Sequence, residues 1–301
     1  MSNKVNNIEF SLIIPCFNEQ DSISTVIEML NRNFGDQTNF EIIIVNDGST
    51  DNTSSLINEK KSVPIFNKIK IVSHNKNRGY GASLKTGIRN AKYENIVTYD
   101  ADCSYPMEKI VEFVNTLHIK NLDMVVGSRT GKKVNYSKLR AIPKWFLKRW
   151  ISWIANENVP DINSGLRIFK KKVAEKFLFI LPDTFSFSIT ITLSMLTTGK
   201  QVIFEPIDYE QRTMGKSKIR PIRDTLLFLK IIVRTGLIFA PLRVLSPIIY
   251  ALFILLSITL FIDFQNSNIS DKSVVLIVIN TGMIMFATLC ELIVKSSLRS
   301  D

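Results

Sequence analysis

Between residues 8 and 126, short apolar runs alternate with longer stretches whose apolar residues recur at helical spacing. Ile8–Ile14, Glu41–Val45, Ile69–Ser73, Ile96–Tyr99 and Met124–Val126 predict strands. Most are continuous apolar runs, as a sheet covered on both faces requires. Gln20–Phe34, Asn52–Lys60, Gly79–Lys92 and Pro106–Leu117 predict the intervening helices. This alternation argues for a doubly wound α/β sheet, which binds ligands beyond the carboxyl ends of its strands.

The pattern changes after residue 220. Pro221–Ala240 predicts an apolar helix with one cationic stripe: Lys230 and Arg234 fall within about 20° of Arg223 at 3.6 residues per turn. Such a helix is expected to lie in a membrane interface. Val244–Ile262 is 19 residues without a charge, and Val274–Cys290 is 17, extended past Glu291 by Leu292, Ile293 and Val294. Each is near the roughly 20 residues that cross a hydrocarbon core. Arg234, Arg243, Lys295 and Arg299 flank the outer ends, whereas the connection 263–273 carries two acids and one lysine. Both chain ends are therefore expected in the cytoplasm, and the chain is expected to be a multi-pass integral membrane protein. No apolar signal segment opens the sequence, so the first domain is expected to stay in the cytosol. The expected organisation is a cytosolic domain over 1–220, an amphipathic interfacial helix over 221–240, and a transmembrane pair with a short outer loop over 241–301.

Composition excludes a disordered or repeat-built chain: of 301 residues, 46% are apolar and 22% charged, with 12 Gly and 10 Pro. The net charge of +11 invites a nucleic-acid reading, but its placement argues otherwise. The first hundred residues are neutral, and residues 101–220 carry 20 basic against 11 acidic side chains. Eight of those basic residues fall between Arg129 and Arg149, with no acid among them and with Trp145, Phe146 and Trp150 close by. A run of this kind suits anionic headgroups, phosphates or single strands. Cys16, Cys103 and Cys290 are far apart and form no CxxC pair, so neither a disulfide framework nor a structural zinc site follows.

The candidate chemistry sits where the strands end. Pro15-Cys16-Phe17-Asn18-Glu19 follows the first strand, Asn46-Asp47-Gly48-Ser49-Thr50-Asp51 the second, and Asp100-Ala101-Asp102 the fourth. GxGxxG and GxxxxGK[ST] are both absent. In an extended Asp-Ala-Asp the two carboxylates share a side. Two hard oxygen ligands there suit Mg2+ or Mn2+ bridging a nucleoside diphosphate.

The segments IPCFNE (14–19), VNDGSTD (45–51), NRGYGASLKTGI (77–88), Asp100-Ala101-Asp102 with Pro106, VGSR (126–129), DINSGLR (161–167) and RTMGKSK (212–218) occur in order. On them the chain resembles the family-two inverting glycosyltransferases of GT-A (Rossmann-like) fold. Within these it is similar to the polyprenyl-phosphate glycosyltransferases, such as dolichyl-phosphate mannose synthases and bacterial undecaprenyl-phosphate glucosyltransferases.

The resemblance implies that Pro15, Glu19 and Asp47 grip the donor nucleotide, with Asp100 nearby, and that Asp102, with Asp100 as a possible second ligand, holds the metal. It implies that Arg129, Arg167, Arg212 and Lys218, with Ser217, bind the donor diphosphate and the lipid phosphate. Relatives often carry Gln and His where this chain has Ser104 and Tyr105, so water is expected in place of a third protein ligand. Asp161 is expected either to orient or deprotonate the acceptor phosphate, or to fix Arg167 or the metal-side loop by a salt bridge. The implied activity is metal-dependent transfer of a sugar from a UDP-sugar or GDP-mannose to a polyprenyl phosphate. The implied setting is the cytosolic face of a bacterial inner membrane, in a homo-oligomer such as a tetramer, with no nucleic-acid partner. The alternatives are a processive polysaccharide synthase, against which Phe146 stands where the QxxRW segment needs Gln, and a non-enzymatic membrane protein that binds sugar nucleotides.

Overall fold

The computed structural model describes residues 8–35, 39–131, 141–209 and 221–299. The Trp145 and Arg223 side chains, and the Arg212, Gly215, Ser217 and Lys218 segment, lie outside the described residues and side chains. Seven strands form one sheet: β1 (Phe10–Cys16), β2 (Phe40–Asn46), β3 (Ile69–Ser73), β4 (Asn95–Thr98), β5 (Met124–Ser128), β6 (Arg167–Lys170) and β7 (Val202–Pro206). Their order is β3-β2-β1-β4-β6-β5-β7. The first four are mutually parallel, with β1 between β2 and β4. The five strands expected from the sequence are all present, displaced by at most two residues at their ends. The other two were not expected. β6 runs antiparallel between β4 and β5, and β7 runs parallel to β5 at the outer edge.

Period-2 alternation divides the apolar strands between two cores. Leu12, Ile14, Ile42 and Ile44 face one layer, which α1 (Ile23–Phe34) and α4 (Lys109–Ile119) cover through Val26, Leu30, Phe113 and Leu117. Ile13, Ile43 and Val45 face the other, where α3 (Tyr80–Asn90) and α7 (Phe187–Thr197) supply Leu84, Ile88, Ile189, Leu193 and Leu196. The short α2 (Thr53–Glu59) follows β2, α5 (Ala141–Ala155) precedes β6, and α6 (Lys171–Glu175) follows it. The sheet is therefore mixed, not wholly doubly wound and parallel.

The last three helices are α8 (Pro221–Phe239), α9 (Pro241–Gln265) and α10 (Asp271–Arg299). The last two are long and apolar enough to cross a membrane, and their most apolar stretches are 0% and 17% buried. Along the described part of α8, Ile232, Thr235, Gly236 and Phe239 are buried at helical spacing, while Leu229, Lys230, Arg234 and Leu237 are exposed. Its buried face meets α7, and Ile232, Phe239, Ala240 and Val244 join the second core. The expected apolar faces of this helix are thus divided, one side against the globular domain and the other open. Asp263 closes the turn between the last two helices by accepting the Ser270 N–H at 3.0 Å.

Candidate active site

The parallel strands β1, β2 and β4 end on one edge, and their following loops are stitched together there. The Asn18 N–H donates to Ser49 Oγ at 3.0 Å, the Thr50 N–H to Asn18 Oδ1 at 2.8 Å, and the Glu19 N–H to Thr53 Oγ1 at 2.9 Å. Pro15 is buried near the end of β1 beside Val45, and Glu19 is half-buried at the rim. Gly48 has φ +68°, and a Cβ there would overlap the Lys76 backbone, so the turn after β2 requires glycine.

Asp47, expected to grip the nucleotide directly, is 2% exposed. Its carboxylate accepts the Arg78 N–H at 2.9 Å and the Gly79 N–H at 2.8 Å, and faces His74 Nδ1 at 2.6 Å. The other ring nitrogen of His74 faces Thr86 Oγ1 at 2.9 Å. Asp47 is therefore the anchor of the 77–81 segment. The glycines there serve close packing: a Cβ on Gly79 or Gly81 would overlap the backbone of residues 182–184. Asp51 likewise turns inward, accepting from the Thr53 N–H at 3.0 Å and the Thr53 hydroxyl at 2.6 Å.

Asp100 and Asp102 follow β4 and are both half-buried. The Tyr80 hydroxyl donates to Asp100 Oδ1 at 2.8 Å. Burial, and then the Asp100 charge, hold that hydroxyl well above its ordinary pKa, so it remains a donor. Asp102 Oδ1 accepts the Ser104 N–H at 3.1 Å and the Ser104 hydroxyl. Burial, then the charges of Asp102 and Glu19, push the Cys103 thiol up to about 11, which makes it a poor nucleophile or metal ligand at neutral pH. Asp102 and Asp100 supply only hard carboxylate oxygen at a partly open strand tip, which fits Mg2+ or Mn2+ completed by diphosphate and water. Among the described residues no three His, Cys, Asp or Glu side chains gather as a metal cage. Tyr105 is 4% exposed, and its hydroxyl accepts the Gly165 N–H at 2.7 Å.

Gly165 links this edge to the loop before β6. Its carbonyl accepts the Thr98 hydroxyl at 2.7 Å, and a Cβ would overlap the Asp100 carboxylate. Gly165→Ala must therefore rotate Asp100 off Tyr80. The expected result is a folded protein whose nucleotide affinity falls at least about tenfold, the effect of losing one charge-assisted hydrogen bond of about 1.5–3 kcal/mol. Calorimetric titration with nucleoside diphosphates checks it, and unchanged affinity overturns it.

Asp161 pairs with Arg129, not with Arg167. Arg129 donates through Nε at 2.7 Å, Nη2 at 2.9 Å and its backbone N–H at 3.1 Å, and the Asn163 N–H adds 3.1 Å. The guanidinium also lies over the Tyr209 ring at 5.3 Å. Burial raises the Asp161 carboxyl, but the hydrogen bonds and charge of Arg129 outweigh it and hold the group below the usual carboxylate range. Arg167 overturns the expectation of a phosphate contact. It is 1% exposed and donates to the Ser164 carbonyl at 2.7 Å, the Ile162 carbonyl at 2.6 Å and the Thr192 hydroxyl. Burial lowers its pKa to about 10, so it stays charged at neutral pH as the internal brace of the 161–165 loop.

The edge thus brings together Pro15, Glu19, Asp47, Asp100 and Asp102, with Arg129, one residue past β5, paired to Asp161 of the loop before β6. Sequence reasoning did not single out Tyr80, His74 or Gly165, although Tyr80 and Gly165 lie inside recognised motifs.

Residues 11–178 match the sequence model of Glycosyl transferase family 2. The chain is 27% identical to dodecaprenyl-phosphate galacturonate synthase of Rhizobium johnstonii, over 99% of this chain and 91% of that protein. It is 28% identical to undecaprenyl-phosphate 4-deoxy-4-formamido-L-arabinose transferase of Pseudomonas fluorescens, over 80% of this chain and 68% of that protein. The fold resembles glucosyl-3-phosphoglycerate synthase from Mycobacterium tuberculosis, solved with Mn2+, uridine diphosphate and glucosyl-3-phosphoglycerate. There the TM-score is 0.57 at 16% identity, over 76% of this chain and 80% of that one.

Proposed function

The chain belongs to glycosyl transferase family 2, and from that premise we propose that it transfers one sugar from a nucleoside-diphosphate sugar to a polyprenyl monophosphate at a membrane surface, with inversion. It is an enzyme of the glycosyltransferase class. The acceptor is inferred from relatives named for dodecaprenyl and undecaprenyl phosphate, one of which aligns over 99% of this chain.

The observation that carries the reading is the state of Asp161. Its oxygens are engaged by Arg129 and Asn163, which suits an acceptor that needs no base. A phosphate monoester has a second pKa near 6 and is mostly the dianion at neutral pH. What it needs is help in approaching another anion. In this reading the donor lies across the Pro15–Glu19 rim beside Asp100, with Asp47 acting through the backbone it holds. Asp102 would hold a divalent cation, which when bound neutralises charge on the departing diphosphate. Arg129, oriented by Asp161, would present positive charge toward the acceptor side, joined by Arg212, Ser217 and Lys218. The two C-terminal helices would anchor the enzyme in the bilayer, with the domain over 1–220 and both termini on the cytosolic side.

The test supplies full-length protein with radiolabelled UDP-glucose, UDP-galacturonate or GDP-mannose, undecaprenyl phosphate, and Mg2+ or Mn2+. The expected product is chloroform-soluble and carries one sugar. Label in a polymer would favour a processive synthase, and no lipid product from any donor would overturn the reading.

A further inference from the structure

Phe185 is 67% exposed, although one face of its ring is covered. One face of its ring stacks on Tyr80, with centroids 5.3 Å apart and planes at 17°. Since that face is covered, the remaining exposure belongs to the opposite face and the edge. The connection bearing it, residues 176–186, is pinned to the start of α3. The Ala82 N–H donates to the Asp183 carbonyl at 3.1 Å, Lys85 pairs with Asp183 at 2.7 Å, and Gly79 and Gly81 allow the two backbones to touch. Through Tyr80, whose hydroxyl donates to Asp100, Phe185 stands one ring away from the carboxylates at the strand tip. Burying a ring normally stabilises a fold. A phenylalanine stacked on one face and left open on the other at the rim is placed to receive something apolar.

The other side of the same connection identifies the occupant. Ile180 and Pro182 lie against α8, and with Ile231, Thr235 and Phe239 they line a cavity of about 30 Å³. That helix leads directly into the first long apolar helix at Pro241 and exposes Leu229 and Leu237, while Phe179 on the connection is 85% exposed. From Asp100 outward the order is a carboxylate, Tyr80, the open face of Phe185, and then the elements that join the membrane helices. A ligand whose head group reaches the strand-tip edge and whose hydrocarbon tail leads toward the membrane helices matches that order.

We propose that the open face of Phe185 is the platform for the first isoprene units of the acceptor lipid, setting the preference for a prenyl phosphate over a phosphate without an apolar tail. This rests on the function proposed above. A flat, fixed ring suits the methyl-branched alkene of an isoprene unit, because it buries apolar area at little entropic cost.

The test measures steady-state kinetics of the full-length protein in detergent micelles, where acceptor delivery does not depend on a bilayer. Phe185→Ala is expected to raise KM for undecaprenyl phosphate roughly tenfold, the effect of losing most of one ring's apolar contact, with the loss confined to that KM. Phe185→Leu, which restores an apolar side chain, is expected to recover most of it, and Phe185→Ser none. Donor affinity, read by nucleotide titration, is expected to stay within about twofold of the parent, because no donor contact is removed. A rise in donor KM instead would assign the ring to the sugar and overturn the platform. An unchanged acceptor KM overturns it as well. A parent enzyme that transfers to no prenyl phosphate overturns the function and the platform together, whereas a parent that transfers normally beside an unaffected Phe185→Ala overturns the platform alone.

Discussion

Replacing Asp102 by Asn is expected to lower transfer by about a thousandfold, equivalent to about 4 kcal/mol of transition-state stabilisation. Asp102 is the strand-tip carboxylate assigned to the cation, and among the described residues no third acidic or histidine ligand joins it and Asp100. An amide keeps the shape and the Oδ1 contact with Ser104, but it loses the charge that holds a divalent ion against water. The expected signature is therefore a steep loss of Mn2+-dependent thermal stabilisation by nucleoside diphosphate, with the melting temperature of the unliganded protein nearly unchanged. Retained metal-dependent stabilisation in Asp102→Asn would place the cation elsewhere.

The second large effect concerns Asp161. Its side chain is 11% exposed and that of Arg129 is 22% exposed, so deleting one partner leaves a mostly desolvated charge. Asp161→Ala should destabilise the fold by about 3–5 kcal/mol, whereas replacing both partners by Leu and Met should cost far less. Transfer should be lost in both, since neither leaves an oriented guanidinium. The pH dependence has a definite sign. The folded-state carboxyl lies below its unfolded value, so the pair's contribution is complete above the unfolded pKa of about 3.9 and is lost as pH falls through the lower folded value. The melting difference between the parent and Asp161→Asn should therefore be constant from about pH 5 to 8 and shrink only below about pH 4. A difference that fades already between pH 6 and 5 would contradict the pairing.

The site was legible where chemistry must sit on consecutive residues. Asp100-Ala101-Asp102 and the loops after β1 and β2 lie on the edge that a parallel sheet requires, because local order alone places them there. Arg167 was misread for the converse reason. Its role depends on Thr192, 25 residues later, and on carbonyls of its own loop, none of which leaves a pattern around Arg167. The helix bearing Thr192 was invisible as well. Phe187–Thr197 alternates Ile, Thr and Ser and is buried from Phe187 to Leu196, so it has no polar face to reveal a helical period. β6 is four residues long and antiparallel, and only its neighbours β4 and β5 make it a strand. The role of Tyr105 shows only through its distant partner Gly165, whose backbone it clamps beside Asp100.

The division of α8 between the globular core and the open side bears on how this enzyme can be handled and how it evolves. Ile232, Phe239, Ala240 and Val244 complete the layer formed by α7 and the second face of the sheet. A chain cut at residue 220 would keep every motif of the transferase yet uncover the side of α7 that these residues seal. The last two helices are accordingly no detachable tether. The sheet domain shares one hydrophobic interior with α8 and the start of α9, so neither can be exchanged between relatives without rebuilding the seam at Gly236, where Val244 and Ile154 close on the helix backbone.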